Sequence, residues 1–149
     1  MKDQVIRDAP GKTPVHLWIV GVLALLWNAV GAFDYAATQF RFEAYMGQFT
    51  PEQLDYFYGI PAWAVAAWAV AVWFAVFGSL ALLLRRRAAY TLFLVSLAAM
   101  VTSTVHSFVL SEGAAIMGSE GVVFSGLIVV IGVLLPWYSK IMADRGVLR

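Results

Sequence analysis

Four apolar runs dominate this sequence: residues 15–33, 60–84, 88–110 and 121–138. Each reaches the roughly 17–25 residues that a helix needs to cross the hydrocarbon of a bilayer. Few folds remain open to a 149-residue chain divided in this way. Hydrophobic residues make up 62% of it and charged residues 13%. A globule this small has too much surface for its volume to hide that much apolar side chain from water. The expected fold is therefore all-α: an integral membrane four-helix bundle, with residues 1–149 forming one transmembrane domain. The first run is longer than the roughly 7–15 apolar residues of a signal peptide, and Trp27-Asn28 is a poor approach to a cleavage site. It reads as an uncleaved anchor.

Lysine and arginine in the short connections set orientation. Lys2, Arg7 and Lys12 precede the first run, Arg85, Arg86 and Arg87 form the whole second connection, and Lys140, Arg145 and Arg149 follow the fourth. That puts nine of the ten basic residues on one side and leaves Arg41 alone on the other. Both termini and the arginine turn are expected to be cytoplasmic. The turn is so short that the second and third spans must form an antiparallel hairpin. The triplet reads as a topology anchor, with anionic-lipid binding a minor extra, because roughly 4–8 clustered basic residues are the usual signature for that.

Lipid is as apolar as leucine, so membrane helices associate through close contact of small residues and through buried polar groups. Each span carries such a stripe at three- and four-residue spacing: Gly21, Ala24, Asn28 and Gly31; Ala64, Ala67, Ala71, Ala75 and Gly78; Ser96, Ala99, Ser103 and His106; Gly121, Ser125, Gly132 and Pro136. A compact left-handed bundle is the expected result. Trp18, Trp63 and Trp137 fall near span ends, where an aromatic belt belongs, while Trp27, Trp68 and Trp73 lie deeper and read as packing.

Residues 34–59 form a long loop with its own order. Phe42, Tyr45, Met46 and Phe49 recur at the spacing of an amphipathic helix at an interface. Thr50-Pro51-Glu52-Gln53 is a helix start with a capping threonine, a first-turn proline and a glutamine three places on. Leu54, Phe57 and Tyr58 give that helix an apolar face, and Gly59 ends it. The loop either caps the outer mouth of the bundle or lies on the membrane surface.

At about 1.5 Å per helical residue, counted from the cytoplasmic ends, Asn28 is level with Thr102 and Ser103, and Asp34 with His106. Ser125 and Glu120 approach the same outer layer. Ionisable groups at membrane depth are costly and face the bundle or water. A carboxylate beside an imidazole would stabilise the protonated histidine. Three readings stand: a polar clasp between spans one and three, a ligand-binding site among Asn28, Asp34, Trp63, Ser103 and His106, and a metal site. The last is weak, because His16 lies at the opposite face and no His/Cys cluster exists.

No cysteine is present and the formal net charge is +1. Thiolate chemistry and nucleic-acid binding lose their basis. No cofactor is expected. Ser103, Thr104 and Ser107 near His106 do not make a catalytic set, because serines in membrane helices usually bond their own backbone. The chain is not expected to be an enzyme.

"LWNAVGAFDY", "TPEQLDYFYGIPAW", "FGSLALLLRRRAAY" and the tail "RGVLR" resemble a family of small, uncharacterised four-span inner-membrane proteins of Gram-negative bacteria, often labelled "sugar transporter". The resemblance covers residues 14–149. It implies an inner-membrane location and carriage or binding of a small, sugar-like solute. A non-catalytic accessory or assembly subunit of a membrane complex is the alternative. Either way the expected partners are the lipid bilayer and a second copy or a larger complex.

Overall fold

The computed structural model describes residues 12–149, and over them the chain is all-helical. Lys2 and Arg7 lie outside the described residues. The elements are α1 (Val15–Gln39), α2 (Glu43–Met46), α3 (Pro51–Tyr58), α4 (Ala62–Leu83), α5 (Ala88–Val105) and α6 (Gly113–Asp144). A π-helical turn, His106–Leu110, extends α5. Four helices are long and apolar enough to cross a membrane: Val15–Gln39, Ala62–Leu83, Ala88–Leu110 and Gly113–Asp144.

Proline marks the starts. Pro14 and Pro61 precede α1 and α4 in extended conformation, where a missing N–H costs nothing. The expected start at Thr50 is present: its hydroxyl accepts from the Gln53 N–H at 3.3 Å and the Gln53 side chain accepts from the Thr50 N–H at 3.0 Å. The amphipathic stretch around Tyr45 shrinks to the single turn of α2, in which Met46 alone is buried. The fourth span begins earlier than its apolar run. Gly118 stands at φ 68°, a conformation glycine reaches without a Cβ clash, so a short helical piece from Gly113 joins the main helix at a break.

The α4–α5 hairpin is the closest pair, with α1 against α4 and α6 against α5. Ala64, Ala71, Ala75 and Gly78 are buried and Ala67 is half-buried, so α4 uses most of the expected stripe. At Gly78 an added Cβ would lie 2.8 Å from the buried Phe93 ring. Helices α1 and α6 meet through large side chains, Trp27 with Phe124 and His16 with Tyr138.

The best-packed part lies at the end carrying the arginine turn, here the basic end. Leu17, Leu82, Ala89, Phe93, Leu135, Met142 and Leu148 join in one cluster. Helix α6 stops in a Schellman turn: Gly146 takes φ 70°, its N–H donates to Ala143 O, and the Val147 N–H donates to Met142 O. The turn sends Leu148 back into the cluster, where it is fully buried.

Candidate functional site

The five residues expected to line one pocket divide among three places. Asn28 turns to α4, where its Nδ2 donates to Ser79 Oγ at 2.9 Å and to Ala75 O at 3.4 Å. Ser79 Oγ also donates to Ala75 O at 2.9 Å. One helix turn away along the same α4 face, Ser96 Oγ donates to Ala71 O at 2.6 Å. Small residues on α4 let these hydroxyl and amide groups reach its backbone, and the polar atoms are bonded where lipid would leave them bare.

Asp34 joins the loop. Its carboxylate accepts from Tyr45 OH at 2.6 Å, and its carbonyl accepts from Thr38 Oγ at 2.8 Å. Burial, and then the adjacent carboxylate, push the Tyr45 hydroxyl far above the ordinary tyrosine range. Tyr45 is therefore neutral and a donor. The expected Asp34–His106 clasp is not formed: the carboxylate bonds Tyr45 and the imidazole lies edge-on to Trp63, with ring centroids 5.3 Å apart.

The cause is register. Counting from the apolar edges put the starts of α1 and α5 in one plane. Gly21 instead meets Leu83 beside the arginine turn, so α1 starts roughly 9 Å before that turn, at about 1.5 Å per residue. The pairs Gly31 with Val72 and Tyr35 with Trp68 carry the same offset upward. Asp34 therefore sits well below His106, which shares a level with Trp63 near the start of α4. Asn28 is correspondingly closer to Ser79 than to Ser103, which is half-buried on α5.

Asp34 and His106 are nevertheless the two ends of one continuous arch. Tyr45 lies edge-on to Phe33 and Phe49, Phe49 to Phe57, and Phe57 to Tyr56. Tyr56 OH is 3.0 Å from Ser111 Oγ. Ser111 Oγ donates to the carbonyls of His106 and Ser107 at 2.9 and 3.2 Å. Its single proton is thus spent, and Tyr56 is the donor in the bond between the two hydroxyls. The wide π turn leaves those carbonyls open to Ser111. The loop therefore caps the end of the bundle, fastened to α1 by Tyr45 and to the far end of α5 by Tyr56.

Beside the arch, Thr38, Gln39, Arg41, Phe57, Tyr58, Ile60 and Val65 line a hollow of about 130 Å³. The Arg41 guanidinium lies 4.3 Å from the centre of the Tyr58 ring, within cation–π range. Trp63 is half exposed and His106 buried. Glu120 is exposed and Ser125 half-buried on α6.

Sequence reasoning missed Ser79, Tyr45 and Ser111 as partners. Ser79 continues the Ala71–Ala75 spacing by four and was readable as part of that stripe. Tyr45 and Ser111 reach their partners through the fold of the loop, which spacing does not encode. The chain matches no protein-family model, no curated protein and no solved structure.

Proposed function

We propose that this protein is a multi-pass protein of a bacterial inner membrane, with both ends on the cytoplasmic side, acting as a non-catalytic assembly subunit. The orientation rests on the basic residues that the described chain gathers at one end, Lys12, Arg85, Arg86, Arg87, Lys140, Arg145 and Arg149. The observation that carries the assembly role is the open face of α5. Thr91, Val95, Ala98, Thr102, Val105 and Val109 are all exposed, at the alternating four and three spacing of a helix–helix seam. The most apolar stretches of α5 and α6 are each only 11% buried, against 28% for α4. By contrast the open face of α1 is built of Ile19, Leu23, Leu26, Val30 and Phe33, large side chains suited to lipid. Small and β-branched residues let two helix backbones approach, and closeness is what holds membrane helices together. Asn28, Ser79 and Ser96, meanwhile, are bonded to α4 within the bundle and stiffen it as a scaffold.

The partner surface is a second membrane helix of similar small-residue character, a second copy of this chain being the first to test. Ala98→Phe should abolish association in a mild detergent, while Ala29→Phe, also at an exposed position, on α1, should not. Size-exclusion chromatography with light scattering reads the difference. A wild-type protein that is monomeric and captures no membrane partner would end this reading.

A solute-binding reading is favoured by one contact, the half-exposed Trp63 against the buried His106, beside the hollow holding Arg41. It predicts a sugar-like solute whose addition raises the melting temperature of wild-type protein and leaves that of Trp63→Leu unchanged.

A further inference from the structure

The end of α4 and the C-terminal residues enclose a second hollow, of about 230 Å³, lined by Leu84, Arg85, Arg86 and Arg149. Its walls are held by the backbone. Arg85 ends the helix at φ 54°, and its Nη1 donates to Thr13 Oγ at 2.8 Å. The Arg149 N–H donates to Arg85 O at 2.7 Å and the Arg87 N–H donates to Arg149 O at 3.1 Å. Arg87 Nε donates to Leu148 O at 3.3 Å, so Arg87 serves the docked tail rather than the hollow. Leu148, buried in the core, anchors the segment.

Three arginines, Arg85, Arg86 and Arg149, therefore line one depression. Among the described residues the ion pair formed is Lys140–Asp144, so no Asp or Glu side chain of the described residues pairs with any of the three. Arginine side chains present forked donors that fit phosphate oxygens. The depression also has an apolar exit. Leu84, Leu80 and Phe77 are exposed at 70, 40 and 50%, and they descend one face of α4 at spacings of four and three. The track leads from the arginines toward the middle of the span.

We propose that this hollow binds the phosphate of an anionic phospholipid, with an acyl chain along Leu84, Leu80 and Phe77. Basic pockets beside helix ends take such headgroups, and the apolar track selects a lipid over free phosphate. The site is independent of the α5 seam.

Native mass spectrometry after exchange between phosphatidylglycerol and phosphatidylcholine tests it. Wild-type protein should retain phosphatidylglycerol preferentially, and millimolar inorganic phosphate should not displace it. Arg86→Gln with Arg149→Gln should weaken retention roughly thirtyfold, at about 1 kcal/mol for each basic side chain and a factor of ten per about 1.4 kcal/mol. The bonds that dock the tail are main-chain bonds, so the fold should survive, as its melting curve would register. Arg86→Gln alone, at an exposed position, should still cost about fivefold. Lys140→Gln, exposed at the same end, should cost nothing. Equal retention by the arginine variants, no preference for phosphatidylglycerol, or displacement by inorganic phosphate would each overturn the proposal, the last in favour of a free-anion site.

Discussion

The Asn28 amide and the Ser79 hydroxyl meet at 2.9 Å across the α1–α4 contact, and Ser79 passes the bond on to the Ala75 carbonyl. A polar residue within an apolar helix is thereby matched by the backbone of its neighbour.

Removing either partner should loosen this joint by a modest amount. Hydrogen bonds between membrane helices average about 0.6 kcal/mol and reach about 1.7 kcal/mol. In detergent–denaturant unfolding, Asn28→Ala and Ser79→Ala should couple by about that amount in a double-mutant cycle. Strict additivity would show that the bond contributes nothing.

Tyr45→Phe leaves the Asp34 carboxylate without its donor and should cost about 1–3 kcal/mol near neutral pH. The pH dependence has a definite sign. The folded protein holds the Tyr45 proton more tightly than the unfolded chain does. Stability from this group is complete below the unfolded value of about 10 and declines as pH rises above it toward the higher folded value. Melting temperature should be level from about pH 7 to 9 and fall beyond about pH 10. The fall should be shallower in Tyr45→Phe. An equal alkaline fall in both proteins would remove Tyr45 as its source.

Asp34 and His106 have separate partners, so Asp34→Asn and His106→Ala should add within about 0.5 kcal/mol. Unfolding free energies of the two single variants and the double variant measure this. Coupling above about 1 kcal/mol would mean that the carboxylate and imidazole meet directly.

Gly78 and Gly126 should respond oppositely to alanine. The added methyl at Gly78 collides with Phe93, whereas at Gly126 it has open space. Overfilling should cost about 1–3 kcal/mol at Gly78. Gly126→Ala should be neutral or should stabilise by up to about 1 kcal/mol. A similar loss at both positions, read from melting curves, would place a neighbour against Gly126.

What was legible in the sequence was local. The four apolar runs, the Thr50–Gln53 start and the Ala64–Gly78 stripe each depend on residues within one or two turns, and all reappear in the fold. Register between helices was not legible. Apolar edges gave α1 and α5 a common starting plane, but the helices slide until Gly21 fits Leu83 and Gly78 fits Phe93. That fit decides whether Asp34 reaches His106 or Tyr45, and it depends on shapes brought together from distant parts of the chain.

Leu148→Ala should cost about 2–5 kcal/mol, because the side chain is fully buried among core residues. Proteolysis of the tail should accelerate with it. A variant as stable as wild type would mean that the tail docks through its backbone alone.

The sequence separation of the α1–α4 joint imposes an order on assembly. Ser79 is synthesised 51 residues after Asn28, which at roughly 5–20 residues per second is a delay of roughly 3–10 seconds. Throughout that interval the first span must hold its place with an amide that has no partner yet. The apolar side chains around Asn28, Leu25, Leu26 and Val30 among them, therefore serve the nascent chain as well as the finished one: in a bilayer they would hold α1 until α4 arrives.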